Sequence, residues 1–208
     1  VPRRRILPAG MDAHFQAEIR RARAEHGRLA GAFLDAHATD LARLAEWSAA
    51  TLRQGGKLLL FGNGGSAAQA QHLAAELVNR LELPRRALAA LALTVDGAVL
   101  SSVANDADFR QVFARQIEAL GRPGDVAVGS STSGKSPNVI EAFRTAREMG
   151  LRTVAFSGGD GGELPGLVDE MLLVPSRETA RIQEMHLTLG HMLCGALELG
   201  LGSPEVRR

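Results

Sequence analysis

Residues 57–66 read Lys57-Leu-Leu-Leu-Phe-Gly-Asn-Gly-Gly-Ser66, and this stretch decides the fold. Its apolar run is short, unbroken by polar residues and bounded by Gly55-Gly56 on one side and Gly62 on the other. That pattern describes a strand buried on both faces. Gly62, Gly64 and Gly65 then permit a tight turn, and a helical pattern follows from about Ser66 to Leu81. Strand, glycine-rich turn and helix in that order open a parallel α/β sheet.

Working downstream, Leu88 to Leu93 is a second strand and Asp125-Val-Ala-Val-Gly129 a third, followed by a polar loop and a helix to Met149. Leu151 to Phe156 is a fourth strand, Glu170 to Val174 a fifth, and Glu178 to about Gly200 a closing helix. The expectation is one α/β domain: a five-stranded parallel sheet, doubly wound and flavodoxin-like, with helices on both faces.

Upstream, Phe15, Ile19, Leu29, Phe33, Leu34, Leu41, Leu44 and Trp47 recur at mostly helical spacing between charged residues. We read two helices broken near His37 to Thr39. No strand precedes them, so they form an extension whose apolar stripe suits packing against another subunit. The expected organisation is a flexible basic tail over 1–11, interface helices over 12–55, the sheet domain over 56–202 and a tail over 203–208.

The bulk numbers are consistent with this. With 208 residues, 45% of them hydrophobic, the chain supports one full core and is not disordered. The net charge of +1 gives no global pull toward nucleic acid. Cys194 is the single cysteine, so a reducing, cytoplasmic setting is expected. No stretch approaches the roughly 20 apolar residues of a membrane span. Val1 to Gly10 contains Arg3, Arg4 and Arg5 but lacks the apolar core of a secretion signal, and Met11 is read as a candidate natural start.

Ligands of such sheets bind beyond the carboxyl ends of the strands, which directs attention to two loops. In Phe61-Gly-Asn-Gly-Gly-Ser66 the backbone can approach a ligand closely, and the helix start offers free N–H groups to an anion. The alternative is a tight turn without a ligand. In Ser130-Ser-Thr-Ser-Gly-Lys-Ser136, five hydroxyl residues in seven positions precede a helix that begins at Pro137. Hydroxyls and helix-start N–H groups can surround the oxygens of a monophosphate. The alternative is a serine-rich turn.

Gly129 to Ser136 also matches the G-x-x-x-x-G-K-S string of nucleotide-binding P-loops. Against a nucleotide, the loop follows the third strand rather than opening the domain. The next apolar strand, moreover, runs into Ser157 and two glycines rather than an acid for magnesium.

His72 and Glu76 lie four apart, on one face of their helix. The closing helix carries Gln183, Glu184, His186 and His191 among Leu and Met. Asn105-Asp106 caps a helix or faces the site, and Asp96 is equally open. His72, Glu76, Gln183 and His191 have donors suited to Zn²⁺ or a related ion, or are plain polar surface. Gln183 and His191 are eight residues apart, about 12 Å along a helix. One protomer can hardly aim both at one atom, so a shared site draws on different chains.

These residues together resemble the sugar isomerase (SIS) domain family, in particular its phosphoheptose isomerases, over about residues 20 to 200. The marks are Gly62-Asn-Gly-Gly-Ser66, Gln71-His-Leu-Ala-Ala-Glu76, Val103-Ala-Asn-Asp106, Ser131-Thr-Ser-Gly-Lys-Ser136, Asp160-Gly-Gly162, Arg181-Ile-Gln-Glu-Met-His186 and His191. The resemblance implies a homotetramer with active sites at subunit interfaces. It also implies isomerisation of D-sedoheptulose 7-phosphate to D-glycero-D-manno-heptose 7-phosphate through an enediol, the first step toward ADP- or GDP-heptose.

By the same resemblance, Ser131, Thr132, Ser133 and Ser136 hold the phosphate. Asn63, Gly64, Gly65, Glu76, Asn105, Asp106 and Gln183 contact the sugar. Glu76 acts as base and His191 as proton shuttle, and zinc sits on His72, Glu76, Gln183 and His191. The chain departs from the family pattern at Ala180, where well-known members have an aspartate, and at Lys135. Two other readings remain: a non-enzymatic relative that binds the bacterial replication initiator, and a nucleotide binder using the P-loop-like string.

Overall fold

A computed structural model describes residues 11–202. The expected basic tail, except Met11, and the tail at 203–208 lie outside the described residues. The elements run α1 (Met11–Arg53), β1 (Leu58–Gly62), α2 (Gly65–Val78), β2 (Ala90–Ala92), α3 (Gly97–Asp106), α4 (Ala114–Leu120), β3 (Val126–Ser131), α5 (Pro137–Glu148), β4 (Arg152–Gly158), β5 (Glu170–Val174) and α6 (Thr179–Leu201).

All strand pairings are parallel, and the order is β2-β1-β3-β4-β5. This is the flavodoxin-like doubly wound order, whose direction of winding reverses between β1 and β3. The strands alternate their contacts between two apolar layers. Leu58, Leu60, Val126, Val128, Val154 and Phe156 face α1, α2 and α6, against Phe33, Leu77 and Leu189. Leu59, Phe61, Ala127 and Ala155 face the other layer, against Ile117 of α4 and Val139 and Phe143 of α5. Both faces are covered, which explains the absence of polar alternation in the strands. A buried carboxylate aligns the two central strands: Asp125 accepts from the Lys57 backbone N–H at 2.9 Å and pairs with the Lys57 ammonium at 2.6 Å.

Two expectations are corrected. The N-terminal extension is one unbroken helix of 43 residues, with no interruption at 37–39. Those positions contain neither proline nor glycine. His37 is held within the helix by Asp40 at 3.0 Å and by an edge contact with Phe33, and it reaches the Leu173 carbonyl of β5 at 3.4 Å. Second, Asn105 and Asp106 are the last residues of a helix and cap none of those that follow. Asp96 caps the start of that helix, α3, accepting from the N–H groups of Ala98 and Val99 at 3.0 Å each. α3 went unrecognised because its valines and serines are weak helix formers and none of its residues is fully buried.

Among the described residues, no helix is long and apolar enough to cross a membrane.

Candidate active site

The two loops singled out in the sequence leave β1 and β3, the strands that flank the reversal of winding. They are joined directly. Asn63 and Asn138 exchange both amide hydrogen bonds, Nδ2 to Oδ1, at 2.9 and 2.8 Å. Asn138 is 2% exposed. Sequence reasoning missed it, although its place one residue after Pro137 in the first turn of α5 was a usable signal.

The hydroxyl loop is shaped by its neighbours. Ser131 is the last residue of β3, and its hydroxyl lies 2.9 Å from that of Ser136. The Ser133 hydroxyl accepts from the Lys135 N–H at 3.2 Å. Gly134 has φ +63 and lies so close to Gly161 that any Cβ would strike the Gly161 carbonyl. The Glu163 N–H closes this contact on the Gly134 carbonyl at 3.0 Å. The loop therefore rests on the Asp160-Gly161-Gly162 turn. At the starts of α2 and α5, neither Gly64 nor Ser136 makes a side-chain cap, so first-turn N–H groups face the switch point.

A cavity of about 420 Å³ opens on the β4 side of the hydroxyl loop, lined by Thr132, Ser133, Lys135, Gly158, Asp160 and Arg177. The Gly162 N–H bonds the Asp160 carboxyl and holds it below the usual range. Burial opposes this, and the charges of Lys135 and Arg177 assist it. A second hollow of about 250 Å³ lies on the other side of Ser136, between Asn63, Asp108, Arg110 and Asn138. Arg110 and Arg177 were not foreseen as site residues. A larger, mostly apolar groove of about 750 Å³ lies at the β2 edge, between Leu91, Val95, Val99 and Leu120. Its polar residues are engaged in structural bonds: Asp96 caps α3, Gln116 donates to two carbonyls, and Arg115 pairs with Glu118. It offers no acid–base chemistry.

The other functional cluster lies on the seam between α2 and α6. Gly190 lets Leu73 occupy the space a Cβ would fill, so the two helices approach closely. That approach brings the Nε2 atoms of His72 and His191 to 2.8 Å, one donating to the other. Glu76 Oε1 lies 3.6 Å from the same His72 nitrogen, with its side chain 19% exposed. All three belong to one protomer, brought together by the close packing of α2 on α6. Gln183 sits higher on α6, its amide against Gly65, while the Gln69 amide donates to the Gln183 carbonyl at 2.7 Å.

The structure therefore groups Ser131, Thr132, Ser133 and Ser136 as one set. Asn63, Gly64, Gly65 and Gln183 form a second set, and His72, Glu76 and His191 a third. Asn105 and Asp106 are exposed and bond to each other at 2.8 Å; no hydrogen bond joins them to the rest. The P-loop string does not form a P-loop. Its first glycine, Gly129, lies inside β3, packed so tightly between Phe61 and Phe143 that a Cβ would collide with both.

A hydroxyl-lined anion cradle at the switch point of a doubly wound sheet, with a carboxylate and two imidazoles on the adjoining helices, defines an α/β protein built for proton transfer on a phosphorylated small molecule. The SIS domain profile matches residues 23–158. A phosphoheptose isomerase from Paramagnetospirillum magneticum is 59% identical over 156 residues, 75% of this chain and 81% of the relative. The structure of phosphoheptose isomerase GmhA from Neisseria gonorrhoeae superposes with TM-score 0.84 at 41% identity, over 89% of this chain and 99% of that one. A phosphoheptose isomerase from Francisella tularensis superposes at 0.83 with 34% identity, over 88% and 98%. The chain belongs to the SIS domain family and, within it, to the phosphoheptose isomerases.

Proposed function

We propose that the chain is a cytoplasmic, homotetrameric aldose–ketose isomerase that converts D-sedoheptulose 7-phosphate to D-glycero-D-manno-heptose 7-phosphate through an enediol. Membership among the phosphoheptose isomerases supports the substrate and reaction. The observation that carries the mechanism is the His72–Glu76–His191 cluster on the α2–α6 seam.

Moving a carbonyl from C2 to C1 needs a proton taken from C1 and one returned to C2. Glu76 is the base: its carboxylate accepts the C1 proton, exchanges it with solvent and returns a proton to C2. His191 moves a proton between O1 and O2, which limits the charge that builds on either oxygen; help of this kind gives about 10²–10⁴-fold per group. Ser131, Thr132, Ser133 and Ser136 hold the phosphate far from the reacting carbons, supplying binding energy for orientation. Asn63, Gly64, Gly65, Asn105, Asp106 and Gln183 contact the sugar.

The seam is half exposed and flanked by the exposed apolar residues Val78, Met192 and Leu199. Such a surface suits cover by another subunit, which would close the site from water. Exposed Phe15 and Ile19 on α1 are a second apolar surface for assembly.

Zn²⁺ fits the chemistry of His72, Glu76, Gln183 and His191. The facing imidazole nitrogens of His72 and His191, 2.8 Å apart, are donors that would suit such an ion. Among the described residues of one protomer, no three His, Cys, Asp or Glu side chains form a ready metal cluster, so binding would need these side chains to rearrange, with Gln183 as the fourth donor. When bound, zinc polarises the carbonyl and stabilises developing negative charge on oxygen.

Purified protein should turn over sedoheptulose 7-phosphate. Glu76→Gln should lose at least about 10²-fold in kcat with its fold and assembly intact. The same assay on chelated enzyme should show activity restored by zinc, and restoration should fail in His72→Ala. Absence of turnover on any phosphorylated ketose, with or without zinc, would overturn the reading. Full activity in a monomeric state would remove the shared-site part alone.

A further inference from the structure

His186 stands on the inner face of α6, 1% exposed, and takes no part in the proton transfers above. Its Nε2 lies 3.1 Å from the Ser157 carbonyl oxygen. A carbonyl only accepts, so the proton is on Nε2 and Nδ1 is bare. That Nδ1 is buried without a hydrogen-bond partner, and the ring packs on Phe156 with centroids 5.7 Å apart. Burial pushes the imidazole down to about 4, with the Ser157 bond opposing, so near neutrality it is an uncharged donor locked in one tautomer.

The bond to Ser157 is the first of a series. Ser157 is fully buried in β4 and stands in register with Ser131 of β3. Its hydroxyl donates to the Ser131 carbonyl at 2.8 Å. The Ser131 hydroxyl lies 2.9 Å from the Ser136 hydroxyl. Three hydrogen bonds, joined through the covalent frames of Ser157 and Ser131, thus connect α6 through β4 to the hydroxyl cradle. One turn earlier on α6, Ile182 packs so closely on Gly158 that a Cβ there would collide with it, which fixes the helix against the end of β4. Leucine or methionine, which also occur on this face as Met185, Leu189, Leu193 and Leu197, would supply the packing of His186 without the donor.

The geometry points to His186 as a positioning residue for phosphate binding. By holding the Ser157 peptide it orients the Ser157 hydroxyl, and through that the Ser131 end of the cradle, without touching substrate. The same helix then sets all three parts of the site: the phosphate through His186, the sugar loop through Gln183 and the proton transfer through His191. This inference rests on the reading of Ser131 to Ser136 as the phosphate site.

The test compares His186→Leu, His186→Gln and Ser157→Ala with the wild-type enzyme, by isomerase kinetics and by competitive inhibition with inorganic phosphate. His186→Leu and Ser157→Ala should raise KM and the phosphate inhibition constant together, by about fivefold to tenfold, with kcat within about twofold. A glutamine amide can donate to the same carbonyl, so His186→Gln should recover most of the loss. The double variant His186→Leu/Ser157→Ala should be little worse than either single change.

Unchanged phosphate inhibition in His186→Leu and Ser157→Ala overturns the proposal. So does a fall in kcat at constant KM, or His186→Gln as impaired as His186→Leu. If His186→Leu does not fold, wild-type phosphate inhibition in Ser157→Ala is sufficient to overturn it. A wild-type enzyme that neither turns over nor is inhibited by phosphate removes the cradle reading and this inference with it. A normal wild type with unaffected variants removes the inference alone.

Discussion

His186 illustrates how a single residue links stability to pH. In the unfolded chain an imidazole takes a proton below about pH 6.5. In the fold His186 does so only at about 4, because burial penalises the charged form. Between those values the folded state binds fewer protons than the unfolded chain, so stability falls as pH drops through that window. The expected loss between about pH 7 and about pH 4.5 is about 2 kcal/mol from this residue. Urea unfolding at both pH values should show that much less loss in His186→Gln, and parallel losses in the two proteins contradict the account. The residue's neighbours were not legible in the sequence. Ser157 meets it across 29 residues through the packing of α6 on β4, and Ser131 joins Ser157 across 26 through the sheet register. Asn138 escaped for the same reason, since its partner Asn63 is 75 residues away. The hydroxyl cluster and the His72–Glu76 pair were legible because each is local: consecutive residues in a loop, or neighbours four apart on a helix.

At the level of elements, the α2–α6 seam decides whether the catalytic side chains meet. Its lower end is tied by Glu198, which is 2% exposed and accepts from the N–H groups of Leu81, Glu82 and Leu83 at 2.7 to 3.0 Å. Burial alone would push this carboxyl up, but those three N–H groups, with Arg85 beside it, hold it below the usual range. Arg85 in turn donates to the carbonyls of Glu76 and Leu77 at 2.7 and 2.8 Å, closing the end of α2. The centre of the seam depends on Gly190. Gly190→Val should displace Leu73, cost about 2 kcal/mol and part His72 from His191. Thermal unfolding and kinetics should show a lower Tm and a lower kcat, with phosphate inhibition unchanged. A stable variant with full kcat would mean that the seam's closeness does not matter. The five strands were legible as short apolar runs, three of them (β1, β3 and β4) bounded by glycines. α4 and α3 were not, because a seven-residue helix and a valine- and serine-rich one have little helical signature. The expected break in α1 was wrong because polar residues within a helix do not end it when their side chains bond one turn away.

At the scale of the whole molecule, the proposed site has two ends. In the proposed reaction, hydroxyls at the sheet's switch point grip the phosphate, and a carboxylate with an imidazole on the α2–α6 seam moves protons. Gly65 and His72, which mark the two ends on α2, are seven residues apart, about 10 Å of helix. An extended sugar phosphate held across subunits suits that separation better than a compact ligand in one pocket. The measurement that tests this most directly is isomerisation in heavy water. The wild-type enzyme should place solvent deuterium at C2 of the heptose product, since a carboxylate exchanges the proton it takes from C1. Glu76→Gln should give neither product nor exchange at C1. Product formed without solvent deuterium, or exchange at the wild-type rate in Glu76→Gln, would contradict the account.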